Sequence, residues 1–129
     1  MSELKELAAE AKHELLTHII PFWRGMRDDK FGGYYGYLSY DLALDEKAEK
    51  GCILNSRITW FFANAYLLYK DGGISEEECE AAGFKGEDLL AEAKHGYKFL
   101  REHCIDKEYG GIFWSLNYDG TPLDTTKHT

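Results

Sequence analysis

The sequence predicts an all-α protein in which outer and inner helices alternate, joined by short β-hairpins, as part of a double ring of helices. Three observations predict it: a glycine-centred segment occurs twice at a fixed offset, one helical segment is apolar nearly all round, and its helical neighbours carry a single apolar stripe.

The first helix can be capped by Ser2, and Leu4, Leu7, Ala8, Ala11, Leu15 and Ile19 keep an i, i+3, i+4 rhythm along it. A single stripe with a charged back predicts a peripheral helix, and Pro21 marks its expected end. The first copy of the repeat follows, as Asp28-Asp29-Lys30-Phe31-Gly32-Gly33-Tyr34-Tyr35. It returns as Asp106-Lys107-Glu108-Tyr109-Gly110-Gly111-Ile112-Phe113, an offset of 106 − 28 = 78 residues. The register continues, with Leu38, Tyr40 and Asp41 matching Leu116, Tyr118 and Asp119. Paired glycines reach backbone conformations closed to other residues, and the aromatic and β-branched residues after them favour extended chain, so each copy reads as a small hairpin. In the second copy Asp119-Gly120, followed by Pro122, is a turn signal.

From Cys52 to Tyr69 the chain is apolar on nearly every side, through Ile53, Leu54, Ile58, Trp60, Phe61, Phe62, Ala65, Tyr66, Leu67 and Leu68, which predicts a buried inner helix. Asp71-Gly72-Gly73 stops it. Ser75-Glu76-Glu77-Glu78 is a capping box opening a short helix that Gly83 closes. An amphipathic outer helix is expected over Glu87 to His103, through Leu89, Ala93, Tyr97, Leu100 and Cys104. The order is then outer helix, hairpin, inner helix, outer helix, hairpin. A partial ring leaves its inner helix uncovered on one side, because such repeats are stabilised by stacked neighbours. The expectation is therefore a portion of a longer protein, or copies that associate through the exposed inner face.

Composition narrows the function. The net charge of −8 leaves no basic patch for displacing counterions from nucleic acid. Three cysteines, with no C-x-x-C pair, give neither a disulfide framework nor a zinc knuckle and suit a reducing cytoplasm. No apolar stretch is long enough to span a membrane, and the N-terminal segment lacks a secretory core. The absence of G-x-G-x-x-G, a Walker loop or a nucleophile elbow gives nucleotide cofactors and acyl-enzyme chemistry no support.

The polar residues of the inner helix are clustered. Asn55, Ser56 and Arg57 sit in its first turn, and Asn64 follows Arg57 by seven positions, with Trp60 and Phe61 between them on the same face. A guanidinium in hydrocarbon needs a counter-charge or a ligand. Arg57 is thus either a structural cation bound to a carboxylate or backbone carbonyls, or a fixed positive charge at the mouth of a lumen, aimed at substrate oxygens. His13 and His18 stand at i and i+5, not the i and i+4 that place two zinc ligands on one helix face, so no metal site is expected there. His95 and His103 read as solvated residues of an outer helix, and Asp28-Asp29 as turn-forming acids.

His18-Ile19-Ile20-Pro21-Phe22-Trp23, the Gly32-Gly33 hairpin, Ile53-Leu54-Asn55-Ser56-Arg57-Ile58 with Trp60-Phe61-Phe62, Asp106 through Trp114, and Asp124-Thr125-Thr126-Lys127-His128-Thr129 together resemble the N-terminal part of the N-acylglucosamine 2-epimerase family, in its cellobiose-acting branch. The likeness covers essentially the whole chain apart from a loop around Ser75 to Gly86. It implies a single (α/α)6-barrel domain of which residues 1–129 form an incomplete N-terminal part. It also implies epimerisation at C2 of the reducing-end sugar of a disaccharide such as cellobiose, or of a related mono- or N-acyl sugar, without a metal or redox cofactor. The reaction runs through a cis-enediolate, with two histidine bases from later helices; none of the five histidines here matches them. Arg57 matches the family's arginine at the sugar's O1/O2 region and would stabilise the enediolate. Asn64 and Trp60 are the accompanying substrate-binding candidates, and His128 stands at the lip of the family's Lys-His-Thr motif. Two other readings stay open: a glycoside hydrolase, which needs two carboxylates in the lumen, and a non-catalytic carbohydrate-binding module.

Overall fold

The computed structural model describes residues 2–127 of the chain. Helix α1 (Ser2–Glu14) runs through a π-helical turn (Leu15–Ile19) into α2 (Ile20–Gly25). Strand β1 (Lys50–Gly51) leads directly into α3 (Cys52–Lys70), followed by α4 (Glu76–Ala81) and α5 (Gly86–Phe99), whose end widens into a second π turn (Leu100–Cys104). Strands β2 (Ser115–Leu116) and β3 (Pro122–Asp124) complete the described chain, and β1-β2-β3 form an antiparallel sheet. The chain is helix-rich with very short strands, as the sequence predicts.

Pro21 does not end the first helix. Proline lacks an N–H and crowds the carbonyl one turn earlier. The π turn relieves that conflict locally: Ile20 N–H reaches back five residues to Leu15 O, and Thr17 Oγ1 donates to His13 O at 2.6 Å. The helix thereby continues to Gly25. Other signals act as read. Ser75 Oγ accepts from Glu78 N at 3.1 Å while Glu78 Oε1 accepts from Ser75 N at 3.0 Å, a reciprocal capping box at α4.

The main core lies between α3 and α5 and is closed by the first hairpin. Ile58, Phe62 and Ala65 of α3 meet Leu89 and Ala93 of α5, with Tyr34, Ile74 and Phe84 filling the ends. Gly96 permits the close approach of the two helices, since a Cβ there would stand 2.1 Å from Thr59 Oγ1. The buried residues of α5 are Gly86, Leu89, Glu92, Ala93, Gly96 and Phe99, so Leu89 and Ala93 of the predicted stripe face inward, as does Cys104 beyond the helix; Tyr97 does not, its ring being 56% exposed with Arg101 stacked over it at 5.8 Å.

The repeat is structural. Arg27 bridges Tyr34 just as Ile105 bridges Ile112, and Tyr35 N donates to Met26 O as Phe113 N donates to Cys104 O. The aspartate that opens each copy caps the turn: Asp28 Oδ1 accepts from the N–H groups of Lys30 and Phe31, and Asp106 Oδ1 from those of Glu108 and Tyr109. Each aspartate also meets a lysine, Lys50 at 2.6 Å for Asp28 and Lys127 at 2.5 Å for Asp106. The copies join where β1 pairs with β2, Lys50 opposite Leu116 and Gly51 opposite Ser115.

Candidate functional site: the open face of helix α3

Helix α3 is buried on one side only. Cys52, Asn55, Ile58, Phe62 and Ala65 face inward, whereas Ile53, Arg57, Trp60, Asn64 and Leu67 line the opposite side and are exposed. The expectation of an all-round buried helix is thus corrected: Ile53 is 45%, Trp60 69% and Leu67 56% exposed, because α5, the first hairpin and the other elements that touch α3 among the described residues lie on its opposite side. Phe61 is also removed from the predicted stripe; it packs on the core, edge-on to Phe62 at 5.1 Å. Ser56 and Arg57 lie in the second turn of the helix rather than in the first.

The three predicted site residues share this open face. Among the described residues the Arg57 side chain has no hydrogen bond or ion pair, so its structural reading, a cation tied to a carboxylate or to backbone carbonyls, finds no partner among them. Trp60 stands one turn on, its indole face open. Asn64 Nδ2 donates to Trp60 O at 2.9 Å, which leaves its side-chain carbonyl outward. A fixed cation, a flat apolar ring and an amide at successive turns can together hold a polyhydroxylated ring: the guanidinium on oxygens that gain charge, the indole on a CH face.

The helix is placed by its buried side. Asn55 is fully buried; its Oδ1 accepts from Tyr34 N at 2.9 Å and its Nδ2 donates to Gly51 O at 3.0 Å, tying the hairpin to the start of α3. Gly33, with φ of 65°, passes so close that a Cβ would lie 2.7 Å from Asn55 Oδ1. Immediately before the helix, Lys50 is completely enclosed, with Nζ on Asp28 Oδ2 at 2.6 Å and on Gly32 O at 2.8 Å. Burial pushes the Asp28 carboxyl up, but the Lys50 ammonium and the two turn N–H groups outweigh it and hold the group below the usual carboxylate range. A second buried network sits behind the hairpin. Glu92, 3% exposed, accepts from Arg27 Nη1 at 2.6 Å and from the Tyr34 hydroxyl at 3.1 Å. Burial, then the Glu92 charge, raises the Tyr34 phenol well above its ordinary value.

His95 and His103 are not the solvated residues that the sequence suggested. His95 is no solvated residue: Nε2 donates to Gly33 O at 2.8 Å and the ring packs edge-on against Tyr34, a strut between α5 and the hairpin. His103 lies against Phe99 and beneath Gly120, where a Cβ would meet Nδ1 at 2.7 Å. His18 pairs with Glu14 at 2.9 Å on the exposed helix surface. His128 lies outside the described residues. No group of His, Cys, Asp and Glu side chains among the described residues is arranged to hold a metal ion, and no described helix is long and apolar enough to cross a membrane.

No family model matches the chain. Whole-chain comparison is more informative. The chain is 49% identical over 123 residues to the cellobiose 2-epimerase of Ruminococcus albus, a match covering 95% of this chain and 28% of that protein. It is 50% identical over 116 residues to the cellobiose 2-epimerase of Eubacterium cellulosolvens, covering 90% of this chain and 25% of the relative. The solved structure of cellobiose 2-epimerase from Bacillus thermoamylovorans superposes with a TM-score of 0.82 at 38% identity, covering 96% of this chain and 28% of that one. The chain thus spans about a quarter of the length of the relatives it matches. By sequence and by fold, over nearly all of its residues, it is similar to the first part of the cellobiose 2-epimerases.

Proposed function

We propose that this chain forms part of a sugar 2-epimerase acting on the reducing end of a cellobiose-like disaccharide, and that Arg57 is its electrostatic catalyst. The observation that carries the reading is the open face of α3, where Arg57, unpaired among the described residues, stands with Trp60 and Asn64. In this reading residues 1–129 are one portion of an (α/α)6 barrel, and the open face of α3 lines its lumen.

The chemistry follows from the acidity of a proton α to a carbonyl. Once the sugar ring opens, a base removes the C2 proton and the electron pair moves onto O1, giving a cis-enediolate. Reprotonation of C2 from the other face inverts it. Arg57 would hold O1 and O2 and stabilise charge that exists only in the intermediate and its flanking transition states, a role worth about 10²–10³-fold in rate for a single well-placed donor. The two bases are assigned to residues outside this chain, since His95 and His103 are committed to packing. Trp60 and Asn64 would contact the sugar ring. A glycoside hydrolase is disfavoured because α3 contains no Asp or Glu. In this reading the protein works in the cytoplasm, and its apolar open faces, Leu4 and Leu7 of α1 with Ile53 and Leu67 of α3, are covered by the rest of the barrel or by a second copy.

An epimerisation assay tests the reading. With cellobiose as substrate, a protein carrying this segment within a complete barrel is expected to form a disaccharide with mannose at the reducing end, and the isolated 129-residue chain to form none. Turnover by the isolated chain would overturn the assignment of the bases. Cellobiose cleavage instead of epimerisation would overturn the reaction class.

A further inference from the structure

We propose that Cys52 and Cys104 are an oxidisable dithiol that closes to a disulfide under peroxide, stapling the start of α3 to the end of the α5 helix, while Cys79 remains a thiol. Cys52 is the first residue of α3 and Cys104 the last of the π turn that ends α5. Both are buried, at 1% and 0% exposure, in one small core with Phe99 and Leu116. Their main chains are held by two successive residues of the second hairpin: Cys52 N donates to Trp114 O at 3.1 Å, and Phe113 N donates to Cys104 O at 2.9 Å. Helix and hairpin thus fix both cysteines against the same dipeptide.

The two thiols have unequal character. The neighbouring Cys104 thiol lowers the Cys52 thiol against the opposing effect of burial. The Cys52 thiol, then burial, raises Cys104 far above the ordinary range. Cys52 also sits at a helix N-terminus, where the backbone dipole favours a thiolate. Cys79 differs on each count. It lies in the other core with Ile74 and Phe84, and burial, followed by the charges of Glu76, Glu78 and Glu80, raises its thiol.

These differences assign the roles. The Cys52 thiolate attacks one oxygen of a peroxide; the O–O bond breaks, the other oxygen leaves with a proton as water or an alcohol, and Cys52 becomes a sulfenic acid. Cys104 then attacks that sulfur and its thiol proton leaves with the displaced hydroxide as water. Two electrons have passed from the dithiol to the peroxide, and a thiol reductant reverses the change. Because both sulfurs are enclosed, a water-sized oxidant should reach them while a bulky maleimide does not.

The test is to treat the folded chain with hydrogen peroxide, then denature it in excess alkylating agent and map the peptides by mass. The expected product is about 2 Da lighter than the reduced chain before alkylation, and after it shows one Cys52–Cys104 cross-linked peptide, Cys79 alkylated, and full reversal by dithiothreitol. Maleimide added to the folded chain should label none of the three over the same period. In Cys104→Ser, Cys52 should instead be trapped as a dimedone adduct. Recovery of all three thiols would overturn the proposal. So would sulfinic acid at Cys52 beside a free Cys104, or a disulfide that includes Cys79. The mapping of the unsubstituted chain decides the matter even where the variant fails to fold.

Discussion

The two copies of the hairpin share a backbone and differ in what surrounds them. In each, an aspartate caps the turn and meets a lysine, and paired glycines carry the chain through positive φ. In the first copy the Lys50 and Asp28 side chains are 0% and 2% exposed; in the second, Lys127 and Asp106 are 34% and 10% exposed. The next matched position is Tyr34, fully buried and stacked on Phe62, against Ile112, which is 50% exposed. The turn is therefore a local property of the repeated segment, whereas its energetic weight is conferred by the helices laid over it. Helices α3 and α5 cover the first copy, and no equivalent pair covers Ile112 among the described residues.

The largest effect that could break this comparison is removal of the two lysines. Lys50→Ala leaves the Asp28 carboxylate buried without its partner and is expected to cost about 3–5 kcal/mol, read as a lower midpoint in urea denaturation. Lys127→Ala should cost several-fold less, because water reaches that pair. Equal losses would show that burial does not distinguish the copies. Next in size is Asn55→Ala, which leaves the buried Tyr34 N–H without its acceptor and is expected to cost about 1–3 kcal/mol. A loss near zero in the same titration would mean that Asn55 does not tie the hairpin to α3.

A pH titration of stability sharpens the contrast further. Lys50, after opposing burial, and Lys127 hold Asp28 and Asp106 below the usual carboxylate range. In acid the unfolded chain therefore binds protons at these groups before the folded chain does. The stability they supply is complete above the unfolded value of about 4 and is lost as pH falls through the lower folded values. The denaturation midpoint should decline over that range, and Asp28→Asn should flatten the decline more than Asp106→Asn. The smallest expected effect is that of Trp60→Ala. With its ring 69% exposed, the change should alter stability by no more than about 0.5 kcal/mol, and a larger loss would place Trp60 in the core.

Much of this architecture is legible in the sequence because it is written in local chemistry. The capping box at Ser75, the glycine stops and the repeated Asp-to-Gly-Gly turn need no partner from far along the chain, and each forms as read. What escapes the sequence depends on distant packing. Pro21 reads as a helix end because the π turn that absorbs it has no simple residue signature. His95 reads as solvated because its partner, Gly33 O, is 62 residues away. Lys127 as the counterpart of Lys50 breaks the 78-residue register by one position, since 50 + 78 = 128, and is visible only once the carboxylates are placed. The Arg57, Trp60 and Asn64 stripe is legible because helical period alone puts those residues on one side. Which side is buried is decided by Gly96 and Asn55, whose roles are tertiary.

The open face of α3 is the counterpart of the first hairpin: one is stabilised by everything around it, the other carries a cation without a partner among the described residues. The most direct test is kcat for C2 epimerisation by a complete-barrel protein carrying this segment, with Arg57 intact and as Arg57→Ala, at matched folding by circular dichroism. A loss of about 10²–10³-fold in kcat, with the urea midpoint unchanged, is the predicted result. Near-normal kcat in a folded Arg57→Ala protein would contradict it and remove Arg57 from the reaction.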